Sequence, residues 1–272
     1  MVRARPVHAG MTALFARLFD DAALFPPGNA PMAEAVPAWL RREGDLVGPF
    51  VLPWARLPEV GVHLDAAGPP LDLALIAAPA DLPAAAGRIA DHPGLRLVAV
   101  EAPVAVGADQ VRSVVRTTAA LPPDVTVAVE VPRTGGRDEV LDALAGSGCR
   151  AKLRTGGLRP DLFPSPAELA GTIRACVARG IAFKCTAGLH NAIRHDEHHG
   201  FLNVLLAASD PGSAETQLLR TDATAMAAEV RGWSPSDITR VRSVFTSFGT
   251  CDVAEPVHDL VRLGLLPERI SA

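Results

Sequence analysis

The chain has 272 residues, 49% of them hydrophobic, and a net charge of −4 at neutral pH. This length suits one α/β barrel or one to two smaller domains, and the acidic balance without a basic stripe argues against nucleic acid as a partner. No apolar stretch approaches a membrane span, and four cysteines without a Cys-x-x-Cys pair are typical of reduced thiols, so we expect a cytoplasmic protein that does not bind membranes.

Two helices are predicted near the N-terminus, at 11–25 and 31–42, and strands that alternate with helices follow them. The strands are expected at 48–53, 71–77, 95–101, 125–131, 150–155, 181–186 and 244–249. Ser165 and Glu168 form a capping-box pattern, which predicts a helix that begins at Pro166. An eighth strand is missing from the pattern, and 56–64 is the segment in which we would place it.

Strands that alternate with helices at this spacing form βαβ units and a parallel sheet. We therefore predict a single domain over 1–272 with the fold of a TIM-type (β/α)8 barrel, irregular or incomplete. It would consist of an N-terminal helical segment (1–47) before the first strand, the barrel (48–254) and a closing helix (255–272). An open doubly wound sheet is the alternative, but polar faces on four consecutive strands favour the barrel.

Alternate residues of a strand point to opposite faces of the sheet, and one face of the third to sixth strands is polar. Its side chains, which should converge on the barrel axis, are Glu101, Glu130, Lys152, Arg154, Lys184 and Thr186. Each lies toward the carboxyl end of its strand, where barrel enzymes keep their catalytic groups. A structural ion network is the alternative interpretation.

Lysine occurs only twice, at Lys152 and Lys184, whereas 26 Lys+Arg minus these two leaves 24 arginines. A lysine amine, unlike a guanidinium, can lose its proton and attack a carbonyl, so the pattern predicts Schiff-base chemistry. Two ammonium groups held close together should lower the pKa of one of them. Glu130 or Glu101 would then move protons, and His190, just beyond the sixth strand, is a further acid–base candidate.

An anionic group of the substrate, a carboxylate or a phosphate, would suit a guanidinium and the backbone amides of a glycine-rich turn. The expected substrate-binding residues are Arg154, Thr155, Gly156, Gly157, Thr186 and Asn191. The predicted partner is thus a small anionic molecule. A homodimer is considered only because two-fold dimers are the commonest assemblies.

The segments 151–158 (AKLRTGGL) and 182–195 (AFKCTAGLHNAIRH) together resemble the lysine strands of deoxyribose-phosphate aldolases and related class I aldolase barrels. Those carry a Lys-x-x-Thr-Gly strand and then a Lys-x-Ser-Gly-Gly strand. The resemblance covers roughly 40 of the 272 residues. It implies a lyase of the class I aldolase type, in which Lys152 forms the Schiff base and Lys184 depresses its pKa.

Three features depart from that family. The lysine strands are counted here as the fifth and sixth rather than the sixth and seventh, the proton-shuttling aspartate has no counterpart, and Arg154 adds a charge. The chain as a whole, with LFDDAALFPPGN, FKCTAGLHNAIRH and HGFLNVL, also looks like a bacterial family without an assigned activity.

Four histidines cluster at 190, 195, 198 and 199. If the segment is helical, His195 and His199 share a face, and with His190 they form an alternative site for a divalent metal. The protein would then be a metal-dependent hydrolase, lyase or isomerase that uses Glu101 and Glu130. The first hypothesis needs no cofactor and no metal, and the third is a non-enzymatic barrel that binds a small anion.

Overall fold

Eight parallel strands close into a barrel in the computed structural model, which describes residues 7–42, 45–65, 67–103 and 105–267. The strands are β1 (Phe19–Asp21), β2 (Val47–Pro53), β3 (Leu71–Ile76), β4 (Leu95–Ala102), β5 (Thr126–Glu130), β6 (Arg150–Arg154), β7 (Phe183–Thr186) and β8 (Phe245–Thr250). Each strand pairs with the next along the chain, and β1 pairs with β8. The predicted TIM-type α/β barrel is confirmed, and it is complete.

Helices follow the strands around the outside of the barrel. They are α1 (Val7–Phe15), α2 (Met32–Leu40), α3 (Leu82–Ala90), α4 (Ala108–Thr118), α5 (Arg137–Leu144), α6 (Pro166–Ala178), α7 (Phe201–Ser209), α8 (Ala214–Leu219), α9 (Ala223–Arg231), α10 (Pro235–Val244) and α11 (Ala254–Arg262). None of these helices combines the length and the apolar character that crossing a membrane requires, within the ranges that the structure describes. The end of the predicted closing segment, 268–272, lies outside the described residues.

The start of α6 shows how local sequence fixes an element. The Ser165 hydroxyl accepts a hydrogen bond from the Glu168 backbone N–H at 3.2 Å, and the Glu168 carboxylate accepts one from the Ser165 N–H at 2.7 Å. These bonds satisfy amides that would otherwise lack partners in the first turn. The predicted capping box is therefore confirmed, and it fixes the beginning of the helix between the two lysine strands.

The prediction of a continuous helix at 11–25 is wrong, because α1 ends at Phe15 and the chain then forms a strand. Arg17 has a φ of 48°, in the left-handed region, which a continuing right-handed helix cannot include. Residues 19–21 then enter the barrel wall, and backbone hydrogen bonds flank them: the Phe248 N–H donates to the Leu18 carbonyl, and the Ala22 N–H donates to the Thr250 carbonyl. The barrel thus begins at Phe19 rather than at 48.

This correction adds one to the number of every later strand. The seven predicted strands correspond to β2 to β8, and the lysine strands are the sixth and the seventh of the barrel. The segment proposed for a missing strand, 56–64, instead contains two short 3₁₀ helices, Trp54–Glu59 and Gly61–His63. The count that set this chain apart from the aldolase pattern was therefore in error.

The apolar core lies mainly between the barrel and its helices. Phe19 on β1 and Phe248 on β8 are fully buried, and their rings meet edge to face with centroids 5.3 Å apart. Phe201 of α7 stacks on Phe248 at 5.2 Å. Because neighbouring residues of a strand face opposite ways, these outward rings turn Asp20 and Ser247 toward the barrel axis.

Candidate active site

The two lysines occupy adjacent places inside the barrel. Lys152 of β6 and Lys184 of β7 are register partners, and Glu130 of β5 is the partner of Lys152 on the other side. The lysine side chains are only 5% and 6% exposed. The prediction that the polar face of these strands points inward is confirmed, and both amines are held where water is scarce.

Glu101 of β4 joins the two amines. Its Oε2 lies 2.9 Å from Lys152 Nζ, and its Oε1 accepts a hydrogen bond from Lys184 Nζ. Burial by itself would raise the pKa of Glu101, but the two ammonium groups outweigh it and lower the pKa from the ordinary 4.5 to about 2. Glu101 is therefore a fixed anion that separates two cations and keeps them in one cluster.

Each lysine also has a carboxylate of its own. Lys152 Nζ lies 3.2 Å from Glu130 Oε2, and Lys184 Nζ donates to Asp20 Oδ2. Burial raises the pKa of the Asp20 carboxyl above its ordinary value, against the lowering effect of Lys184. Ser247 Oγ donates to the same Asp20 oxygen at 2.8 Å. The cluster of lysines and carboxylates thus extends to Asp20 on β1 and to Ser247 on β8.

Lys184 remains an ammonium in this setting. Burial favours the loss of its proton, but the negative charges of Asp20 and Glu101 outweigh burial and raise its pKa above the ordinary value. The expectation that close ammonium groups would lower a pKa by repulsion is therefore not met at Lys184. The reason is the intervening carboxylates, since opposite charges at contact distance favour the charged form.

A cavity of about 530 Å³ opens above the cluster, at the carboxyl ends of the strands. Its lining includes Lys152 and Glu101 at the base and the apolar side chains of Phe25, Leu158 and Leu162 on the walls. We call this space the upper cavity. Lys184 does not belong to its lining, so the two amines differ in access: Lys152 faces the upper cavity, and Lys184 lines a separate cavity below it.

Arg154 lies at the entrance of the upper cavity, two residues beyond Lys152 on the same face of β6. Its Nε donates to Glu130 Oε1 at 3.1 Å, and the side chain is 37% exposed. Glu130 thus holds Nε, and the Gly156 carbonyl accepts a hydrogen bond from Nη1 at 3.4 Å. The exposed remainder of the guanidinium can bind an anion. Thr186 and Gly157, two of the residues predicted to bind substrate, line the same cavity.

The turns after the two lysine strands pack backbone against backbone. A Cβ at Gly188 would lie 2.8 Å from the Gly156 Cα, and Gly188 has a φ of +81°. The buried Thr155 hydroxyl donates to the carbonyls of Thr186 and Ala187 and so ties one turn to the other. Thr155 and Gly156, which we predicted to bind substrate, therefore shape the cavity from behind its wall.

His190 lies on the far side of the upper cavity, in contact with α11. Its Nδ1 is 2.9 Å from Glu255 Oε2 and 3.8 Å from the Cys251 sulfur. Asn191 lines an adjoining cavity of about 330 Å³ that His190 also borders. Asn191 Nδ2 donates to Asp259 at 3.4 Å. His190 thus lies at the mouth of the upper cavity, as expected, whereas Asn191 lines the adjoining cavity and not the upper one.

The other histidines of the cluster do not form the predicted helical pair. His195 and His198 exchange backbone hydrogen bonds and stack their rings at 4.9 Å, while Asp196 turns the chain with a φ of 47°. His199 is buried, and its Nε2 lies 2.8 Å from the Pro164 carbonyl. No group of three possible metal-binding side chains converges anywhere in 7–42, 45–65, 67–103 or 105–267.

Asp20 and Ser247 were absent from the predicted site. The signal for Asp20 was the acidic pair at 20–21 between two apolar stretches, which is unusual for the buried side of a helix. A three-residue strand gives no alternation to recognise, so the pair was assigned to a helix. Ser247 carried no signal beyond its place in the last strand.

Neither a scan against protein-family models nor a search of curated proteins finds a match for this chain. The barrel itself hosts many unrelated activities, so the fold does not identify a function. The chemistry must be argued from the site.

Proposed function

We propose that the protein is a lyase of the class I aldolase type. It would form a Schiff base with a small carbonyl compound that bears a carboxylate or a phosphate. One observation carries the proposal: Lys152 Nζ forms part of the base of an apolar-walled cavity of about 530 Å³ while Lys184 is fixed beneath it as an ammonium. A buried amine facing a cavity is the group that carbonyl addition requires.

Lys152 must pass a proton to a neighbour before it can attack. Glu130 Oε2, at 3.2 Å, is the carboxylate that can take it, because Glu101 has a pKa of about 2 and is a poor proton acceptor. A substrate that fills the cavity displaces water from it, and a buried ion pair then loses stability relative to the neutral amine and carboxylic acid. Glu130 is therefore assigned as the proton acceptor.

The covalent steps follow from this assignment. The amine of Lys152 adds to the carbonyl carbon, and loss of water leaves an iminium ion. When the adjacent C–C bond breaks, its electron pair moves into the iminium to give an enamine, and the departing fragment leaves as a carbonyl once its hydroxyl proton is taken up by a base. Protonation of the enamine and hydrolysis free the amine again. We assign the exchange of these protons to His190, because it lines the same cavity as Lys152 and lies 2.9 Å from the Glu255 carboxylate.

The lining limits the substrate. The exposed edge of Arg154 offers a guanidinium to an anionic group, and the walls formed by Leu158 and Leu162 offer no hydrogen bonds to a chain of hydroxyls. A short molecule with one carbonyl and one anionic end fits both features.

Borohydride reduction tests the proposal, since it converts an iminium into a stable secondary amine. The enzyme would be incubated separately with a 2-oxo acid, a phosphorylated aldehyde and acetaldehyde, reduced, and mapped by mass spectrometry. Two lysines in the whole sequence make the mapping unambiguous. We expect the adduct on Lys152, none in Lys152→Arg, and weaker trapping of the anionic compounds in Arg154→Gln.

A second candidate is a barrel that binds a small anion without transforming it. The observation that favours it is that each lysine already contacts two carboxylates, the arrangement of a structural ion network. Saturable binding of the same compounds by both the wild type and Lys152→Arg, with no reducible adduct in either, would support this candidate and refute the lyase.

A further inference from the structure

A second cavity, of about 380 Å³, lies at the opposite end of the barrel. Its lining comes from the amino-terminal parts of the strands, including Arg150, the first residue of β6, and Thr126, the first residue of β5. Arg242, near the end of α10, also reaches it. We call this space the lower cavity. It meets the ion cluster from below, because Asp20, Glu101 and Lys184 form its inner end.

Two guanidinium groups in the lower cavity have no carboxylate in contact. Arg242 donates to the carbonyls of Phe245 and Ala16, both at 3.1 Å, and no ion pair forms at Arg150 or Arg242 with any residue that the structure describes. Burial lowers the pKa of Arg242 to about 10 and also lowers that of Arg150, against the field of Asp20. Arginine resists deprotonation strongly, so both charges persist and need compensation.

Apart from Asp124, the carboxylates nearby are already engaged. In the cluster, Asp20, Glu101 and Glu130 face Lys152, Lys184 and Arg154, which balances three negative charges against three positive ones. Asp72, at the bottom of β3, binds Arg17 and Arg96. Asp124 borders the lower cavity from an exposed position. The charges of Arg150 and Arg242 therefore exceed what these acids neutralise, in a place where unpaired charge is costly.

We propose that the lower cavity is a binding site for a small oxyanion, a phosphate or the phosphoryl group of a small phosphate ester, held between Arg150 and Arg242. A guanidinium presents parallel N–H donors that match the oxygens of a phosphate. Two guanidinium groups line this cavity, whose volume of about 380 Å³ is large enough for a phosphate. This site is separate from the anion position at Arg154 and does not depend on the lyase chemistry.

An anion bound in the lower cavity would change the protonation of groups in the active-site cluster. Asp20 and Lys184 line the lower cavity, and an added anion beside them favours the protonated form of each. The anion would therefore hold Lys184 as an ammonium more firmly, and anything bound at Lys152 would in turn change the affinity for the anion, because coupling between sites is reciprocal.

Calorimetric titration with inorganic phosphate, at constant ionic strength set with chloride, tests the site. Arg150→Met removes one guanidinium but keeps the apolar stem, and Arg154→Met is the matched control at the upper cavity on the same strand. We expect a saturable phosphate site in the wild type that persists in Arg154→Met and weakens about tenfold or more in Arg150→Met, the loss of a charge-assisted pair.

A second measurement needs no variant. A crystal of the wild type soaked in selenate, a tetrahedral oxyanion, should show an anomalous peak between Arg150 and Arg242. The proposal is overturned if the wild type shows no saturable phosphate binding. It is also overturned if only Arg154→Met loses binding, or if the selenate peaks lie solely at Arg154 or on the outer surface.

Discussion

Replacing Glu101 with glutamine tests the central claim about the site, that one carboxylate holds both amines. The substitution keeps the size and the planar shape of the side chain and removes its charge. Lys152 and Lys184 then keep one carboxylate each, at Glu130 and Asp20, but lose the anion between them. Two ammonium groups on neighbouring strands are left to repel each other.

The pKa of Glu101 gives the size of the effect. It falls from 4.5 to about 2 on folding, and at 1.36 kcal/mol per pKa unit this difference corresponds to roughly 3 kcal/mol of stability at pH 7. Because the folded-state pKa lies below the unfolded one, the contribution is complete above pH 4.5 and disappears as the pH falls through 2. At pH 3, about one unit above the folded value, roughly 1.4 kcal/mol remains.

Urea unfolding of the wild type and Glu101→Gln at pH 7, 5 and 3 measures this directly. We expect the difference in unfolding free energy to be nearly constant between pH 7 and 5 and to fall by about half at pH 3. Glu34→Gln, on the exposed side of α2, is the matched control; it removes only the helix-dipole contribution of a carboxylate in the first turn, so its deficit should stay below about 1 kcal/mol.

Two results would refute this reasoning. Equal stability of Glu101→Gln and the wild type at pH 7 would mean that the bridging charge contributes nothing. A deficit of the same size at pH 7 and pH 3 would mean that the loss comes from packing rather than from charge.

Three further expectations concern other parts of the site. Gly188→Ala places a Cβ 2.8 Å from the Gly156 Cα in a backbone of positive φ, whereas the Cβ of Gly146→Ala, at a φ of +72°, meets nothing within 4 Å. Thermal unfolding should therefore show a loss of stability of about 1–2 kcal/mol for Gly146→Ala and a clearly larger loss for Gly188→Ala. Equal losses would contradict the clash at Gly188. Lys184→Met leaves two buried carboxylates without their shared cation and should lower the unfolding free energy in urea at pH 7 by about 3–5 kcal/mol, and a neutral effect would contradict the ion cluster. Burial raises the pKa of the Cys251 thiol, and the other three cysteines are buried. Native protein at pH 7 should therefore react slowly with one equivalent of iodoacetamide. Rapid reaction of more than one thiol per chain would be inconsistent with this packing.

The sequence predicted the barrel and most of its polar interior because alternation along a strand is local. In β6 and β7, polar residues alternate with apolar ones, and in β4 and β5 a glutamate lies near the end of an apolar run. These local patterns assign Glu101, Lys152 and Lys184 to one face of the sheet. The scarcity of lysine added a chemical reason to single out two positions. None of this required knowledge of distances between strands.

What the sequence could not supply was contact between distant positions. Lys184 reaches Asp20 across 164 residues and Glu101 across 83, and these separations depend on barrel closure and side-chain rotamers. Strand alternation alone predicts direct repulsion between the two ammonium groups, because it carries no information on the position of Glu101 between them. The prediction of a helical histidine pair was wrong for another reason. The spacing of the histidines fits a helix, but the chain turns at Asp196 and pairs His195 with His198.

The pairing of β1 with β8 has a consequence for synthesis of the chain. Asp20 leaves the ribosome early, yet its Ser247 partner follows 227 residues later, so a nascent chain cannot assemble the completed site until its last strand has emerged. Until β8 is synthesised, β1 and β7 have no strand between them, so Asp20 is not held next to Lys184. Binding of a ligand at the site would therefore report that the final strand has joined the first, and could serve as a gauge of maturation for truncated or circularly permuted versions of the chain.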